Sequence, residues 1–303
     1  MARKIKQVKS PMQKYTLLEM QREFPDDRTC LEWLFHYQHP NGLTCEKCGV
    51  VNSKFHYVVS KKSFSCQWCG HHVFPAAGTI FDHSPTPLTK WFYAIYLMAQ
   101  TRTGISAKQL ERELGVTYKT AWRMFKMIRS VLDDDGDAFG GEGKDVEIDE
   151  TYVGGVRKGK RGRGAEGKTP VVGMVERKGE VKAVVVPNVK SETVLSIVES
   201  NVEKGSTVHT DEFGVYNPLS EKGYTHERVQ HSQKVYVVGN SHTNSIEGFW
   251  AQVKNAVNGV HHGVSPKYLQ RYVNEYSFRY SHRNDITPMF LTFLYRAGAS
   301  LDD

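Results

Sequence analysis

Two Cys-x-x-Cys pairs, "CEKC" at 45–48 and "CQWC" at 66–69, constrain this chain more than any other feature. So short a stretch cannot bury a core of its own, and chains of under about 40 residues fold alone only with a metal, disulfides or a partner. The spacing, C-x2-C-x17-C-x2-C, suits a tetrahedral zinc site in which two tight knuckles converge on one ion. Gly49 and Gly70 follow the knuckles, where the backbone must turn with positive φ. Between them, "FHYVV" and "SFS" flank a polar turn at Ser60–Lys62, which predicts a hairpin. Two disulfides or free core thiols are the alternatives. The basic start "MARKIKQVKS" has no apolar signal-like run, so a cytoplasmic location is expected, and disulfides are rare there. Cys45, Cys48, Cys66 and Cys69 are therefore expected to hold one structural Zn²⁺ in a ribbon over about 40–75. Cys30 is expected to be a buried thiol, and His71 and His72 are not needed as ligands.

Next, "WFYAIYLMA" (91–99) predicts a buried helix near 88–100; it is too short for the ~18 apolar residues of a membrane span. In "GISAKQLERELGVTYKTAWRMFKMIRSVL" (104–132), Ser106 can cap one helix and Thr117 a second, with Gly115 breaking the chain between them. The second helix is expected to bury Ala121, Trp122, Phe125 and Ile128 and to expose Tyr118, Lys119, Arg123 and Lys126. That pattern predicts a helix-turn-helix over 86–132 with a basic outer face. A helical hairpin that packs on another domain has the same pattern. Residues 1–135 hold 19 Lys and Arg against 12 Asp and Glu, whereas 136–303 hold 21 of each. The asymmetry supports a module that grips a polyanion, though a solvated basic surface has the same charge.

After an expected acidic linker at 133–145, strands are predicted at 146–152, 170–176, 181–186, 206–210 and near 224–230. Helices are predicted at 191–203 and 243–258, giving a mixed α/β domain over 146–303. "VEIDETYVGG" (146–155) crowds Glu147, Asp149 and Glu150 into one strand, with Glu147, Asp149 and Thr151 on one face. Like charges so close cost stability unless a cation joins them. Asp149, Asp211 after "STVHT" and Glu247 on "TNSIEGFWAQVKNAV" come from three separate elements. Glu247 is expected to border the buried helix face. Carboxylate oxygens from three elements can hold Mg²⁺ or Mn²⁺ and leave room for phosphate and water. Glu147 and Glu150 are expected either to support the ligand set from just outside it or to face solvent, since one carboxylate per element suffices. The basic loop "RKGKRGRGAEGK" (157–168) could track phosphates or be a solvated hairpin, and His242, His261 and His262 could be structural or touch DNA.

"EIDETYVGG", "HTDEFGVY" and "HTNSIEGFWAQVKNAVNGVHHGVS" together resemble the three signature blocks of DDE transposases from bacterial insertion sequences, in the Merlin-related group. The resemblance runs over nearly the whole chain and includes the closing "YLQRYVNEYSFRYSHR". It implies a ribonuclease H-like catalytic domain behind the zinc ribbon and helix-turn-helix, with Asp149, Asp211 and Glu247 as catalytic ligands of two Mg²⁺ or Mn²⁺ ions. The 36 positions from Asp211 to Glu247 fit the short spacing of such enzymes. The implied activity is binding of the terminal inverted repeats, then metal-dependent DNA cleavage and strand transfer. The implied partners are double-stranded DNA, as transposon ends and target, and further copies of the chain on that DNA, in the nucleoid. Lys119, Arg123 and Lys126 are expected to contact DNA. Lys254, two turns after Glu247, is expected to do so near the scissile phosphate. The competing readings are a DNA-binding regulator with an inactive catalytic domain and a nuclease that cuts without joining.

Overall fold

The computed structural model describes residues 15–133, 136–154, 167–229 and 242–301. Contacts divide the chain into two units, one made of 1–131 with 284–303 and the other of 132–283. The expected catalytic domain ran on to residue 303, so the closing stretch falls on the other side of this division. Its helix buries Phe290, Phe293, Leu294 and Ala297, and Phe290 meets Phe24 in the first unit with ring centroids 6.1 Å apart.

In the first unit, α1 (Leu17–Glu23) and α2 (Asp27–Gln38) begin at Thr16 and Asp26, whose side chains accept backbone N–H bonds. A small sheet follows. Strand β1 (Phe55–Val58) pairs antiparallel with β2 (Ser63–Cys66), and β2 with β3 (His72–Val73). The expected hairpin is present, its turn closed by Lys62 in the left-handed region at φ 48°. Helix α3 (Leu88–Gln100) lies at the predicted place and buries Trp91, Phe92, Ile95 and Met98. Helix α4 (Ala107–Leu114) starts at Ser106, which accepts from the Gln109 N–H, and ends at Gly115 with φ 58°. Helix α5 (Tyr118–Ser130) starts at Thr117, which accepts from the Thr120 N–H. It buries Ala121, Met124, Phe125 and Ile128, whereas Trp122 is only half-buried. Helix α9 (Met289–Gly298) completes the unit; Gln38 donates to the carbonyls of Pro75 at 2.9 Å and Gly298 at 3.1 Å.

The second unit is a mixed α/β domain. Strands β5 (Asp145–Val153), β6 (Thr169–Glu176) and β7 (Val181–Val185) form an antiparallel meander. The chain then crosses through α6 (Ser191–Asn201) to β9 (Thr207–Thr210), which runs parallel to β5, and a 3-10 stretch leads to β10 (Thr225–Arg228) beside β9. The sheet order is β10-β9-β5-β6-β7. Helices α7 (Asn244–Gly259) and α8 (Pro266–Ser281) follow. Both faces are covered, so β6 is apolar on both: Val172 and Met174 join the core with Val194, Val198 and Tyr216, while Val171 and Val175 join Ile246, Phe249 and Trp250.

The expected linker is not all linker. Strand β4 (Phe139–Gly140) pairs in parallel with β8 (Val202–Glu203), and Phe139 enters the core because its ring is apolar and finds Val202. The "RKGKRGR" part of the basic loop lies outside the described residues. No helix among the described residues is long and apolar enough to cross a membrane.

Candidate functional site

The knuckles form as the glycines require. Gly49 N–H donates to the Cys45 carbonyl at 2.8 Å and Gly70 N–H to the Cys66 carbonyl at 3.0 Å, with φ of 69° and 70°. All four sulfurs lie within 4.8 Å of one another. Cys45 and Cys69 sulfurs are 3.5 Å apart and those of Cys48 and Cys66 3.9 Å, and none of the four is in a disulfide. Four thiols at this separation form a donor set that could hold a structural zinc. The Ser53 hydroxyl, 3.0 Å from the Cys66 sulfur, holds that thiol down to about 6, whereas burial and the neighbouring sulfurs push Cys69 up to about 12, as in a cluster of thiols that share their protons. His72 is turned away to Ser63 Oγ at 2.9 Å.

The carboxylates are assembled by the sheet register. Glu147 of β5 sits opposite His209 of β9 in a parallel pair. Two residues further along each chain come Asp149 and Asp211, and parallel neighbours send their side chains to the same face. On the other side of β5, Asp149 pairs with Gly173. A Cβ on Gly173 would collide with the Trp250 ring and lie 2.8 Å from Ile246 Cδ1. The bare glycine thus lets the first turns of α7, which carry Glu247, settle onto the sheet beside Asp149.

Electrostatics report the convergence. The Asp149 carboxyl is raised from its usual 3.8 to about 7, first by burial, then by Glu150, Asp211 and Glu247. Asp211 Oδ1 accepts from the Phe213 N–H at 2.9 Å, and Glu247 Oε1 accepts from the Thr243 hydroxyl at 3.0 Å. Glu247 is exposed and does not border the core, because α7 turns its Ile246 and Trp250 side inward. Carboxylates that repel one another in this way suit a divalent cation, whose charge reverses the repulsion. The three are spaced more widely than the thiols: among the described residues, only the thiols close to 4.8 Å as a group.

A pH dependence follows. Metal must displace the Asp149 proton below neutral pH, so Mn²⁺ affinity should fall by about tenfold per pH unit below 7 and level off above it. Calorimetric titration between about pH 5 and 8 checks this, and a flat profile would remove Asp149 from the ligand set. In metal-free protein the sign reverses: a carboxyl raised on folding loses stability as pH climbs from about 4 to 7.

Neither neighbouring acid faces solvent. Glu150 lies on the opposite face and accepts from the buried Tyr216 hydroxyl at 2.8 Å. Glu147 is 0% exposed. It accepts from Ser245 N–H at 2.7 Å, Ile246 N–H at 3.1 Å, Ser245 Oγ at 3.0 Å and Arg177 Nε at 2.9 Å. His242 Nδ1 is 3.1 Å from the same carboxylate, and His261 Nε2 bonds the Tyr276 hydroxyl at 3.0 Å. Lys119, Arg123, Lys126 and Lys254 are all exposed, the last on α7 with Glu247.

Residues 141–281 match the model of the ISXO2-like transposase domain. A protein of Halobacterium salinarum described as an uncharacterized protein in transposable element ISH50 is 30% identical over 278 residues, 85% of this chain and 92% of its own length. An uncharacterized transposase-like protein of Haemophilus influenzae is 32% identical over 104 residues, 34% of this chain and 83% of its own.

Proposed function

The chain belongs to the ISXO2-like transposases of insertion sequences, and from that premise we propose that it binds its element's ends and catalyses metal-dependent DNA cleavage and strand transfer. The observation that carries this reading is geometric: the parallel β5–β9 register brings Asp149 and Asp211 onto neighbouring stretches of chain, and Gly173 opposite Asp149 lets the turn of α7 that bears Glu247 pack against the sheet. The sheet order β10-β9-β5-β6-β7, with an antiparallel meander and two parallel strands, supports a ribonuclease H-like domain.

Asp149, Asp211 and Glu247 would hold two Mg²⁺ or Mn²⁺ ions, whose chemistry there would be to activate the attacking oxygen and stabilise the leaving one in displacement at phosphorus. Lys254, exposed two turns along the same helix, is placed to meet phosphate. A covalent protein intermediate is not required, so the chain needs no activated serine or cysteine.

Helices α4 and α5 with their three-residue turn act as the helix-turn-helix, presenting Lys119, Arg123 and Lys126 to double-stranded DNA. Copies of the chain would assemble on the paired ends. Arg123→Ala with Lys126→Ala should weaken binding to a terminal-repeat duplex by about 1–3 kcal/mol per lost base contact. Pure phosphate contacts would instead flatten the salt dependence, and unchanged binding would move recognition to the ribbon or the C-terminal region.

The reading as a whole is tested by incubating the full chain with supercoiled plasmid, an oligonucleotide carrying the element's 3′ end, and Mg²⁺ or Mn²⁺. Joining of the oligonucleotide supports a transposase. Nicking without joining favours a nuclease, and DNA binding with neither favours a regulator.

A further inference from the structure

We propose that Glu147 is a positioning residue for Glu247: it clamps the start of α7 to β5 and so sets where the third carboxylate stands. This rests on the three-carboxylate reading above. One strand carries both functions, since Glu147 and Asp149 are two positions apart on the same face of β5.

Glu147 meets the first turn of α7 through both oxygens. Oε2 accepts from the Ser245 and Ile246 N–H groups, two of the donors that a helix start leaves without a partner inside the helix. Oε1 accepts from the Ser245 hydroxyl and from Arg177. Arg177 also donates to the His242 carbonyl at 2.8 Å, so the chain entering α7 is held from the same point. Thr243, the residue before α7, makes no side-chain cap bond to the helix backbone and instead donates its hydroxyl to Glu247. The capping role has thus passed to a carboxylate on a strand nearly 100 positions earlier, with Oε2 accepting across a sequence separation of 98. A local cap would fix only the helix's own geometry. This one also fixes the helix's height and rotation against the strand that bears Asp149, because it holds the N–H of Ile246, the residue directly before Glu247. Gly173 supplies the complementary device on β6, removing the side chain that would hold α7 away.

Such outer partners of a metal ligand typically cost about 10–100-fold in metal affinity when replaced. Calorimetric Mn²⁺ titration of the full chain, with plasmid nicking followed alongside, tests the assignment in a double-mutant cycle. Glu147→Gln should lower Mn²⁺ affinity by about 10–100-fold, and raising Mn²⁺ should recover most of the nicking rate. In a Glu247→Gln background the same substitution should change affinity by less than about twofold, since the group it positions is gone. An equal loss in both backgrounds, or wild-type affinity in Glu147→Gln, overturns the positioning role. Should Glu147→Gln fail to fold, Ser245→Ala removes one of the clamping bonds and should still cost a few-fold in affinity; no loss there overturns the proposal as well. If Glu247→Gln alone binds Mn²⁺ as the unaltered chain does, the three-carboxylate reading itself falls, an outcome distinct from failure of the clamp.

Discussion

Chains carrying Asp149→Asn, Asp211→Asn or Glu247→Gln should bind DNA ends as before but neither cleave nor join them. Each substitution keeps side-chain size and removes an anionic oxygen donor. Loss of metal stabilisation of the transition state amounts to several kcal/mol, so rates should fall on the order of a thousandfold or more. Binding should persist because Lys119, Arg123 and Lys126 belong to the other unit. Lys254→Ala sharpens the comparison: it should slow strand transfer while leaving Mn²⁺ binding intact, whereas Glu247→Gln should weaken the metal itself. A Glu247→Gln chain with full activity would place the third ligand elsewhere and refute the assignment on α7.

The sheet strands were legible within about two residues because apolar runs such as "TPVVGMVE" stop abruptly at charged or turn residues. The knuckles and the caps Ser106 and Thr117 were equally plain, since each rests on neighbours a few positions away. What failed depends on distance. Three acids in one strand look alike in sequence, yet Glu150 meets Tyr216 and Glu147 meets the start of α7, partners 66 and 98 positions away. Glu247 was expected at the core's margin because Ile246, Phe249 and Trp250 adjoin it, but sequence spacing gives a helix's apolar stripe without saying how α7 is rotated on the sheet. "MFLTFLYRAG" shows by its composition that α9 buries a face, and nothing in it says that the face is covered in the first unit. Gly173 carried no local signal either; its meaning appears only once Trp250 lies over it.

Removing one knuckle thiol should have the largest local effect on stability anywhere in the chain. The hairpin and its third strand total ten residues of ladder, and Phe35 stacks on Phe64 at 4.5 Å as the principal ring contact beneath them. So small a sheet supplies little folding free energy by itself, whereas structural zinc contributes about 10–16 kcal/mol of apparent binding energy at neutral pH. Cys45 and Cys66 are buried and Cys48 is exposed, so loss of the ion leaves the inner pair desolvated without the metal's charge. Protein purified without added zinc should contain about one equivalent, and Cys45→Ser or Cys66→Ser should contain none. In those variants, hydrogen exchange across Phe55–Val58 and Ser63–Cys66 should become fast, while α3 stays protected by Trp91, Phe92 and Ile95. Mn²⁺ affinity should not move, because Asp149, Asp211 and Glu247 fold in the other unit. Stoichiometric zinc retained in both variants would mean that the four thiols are a packed cluster and not a metal site, and the ribbon would then have to be held by its aromatic contacts alone.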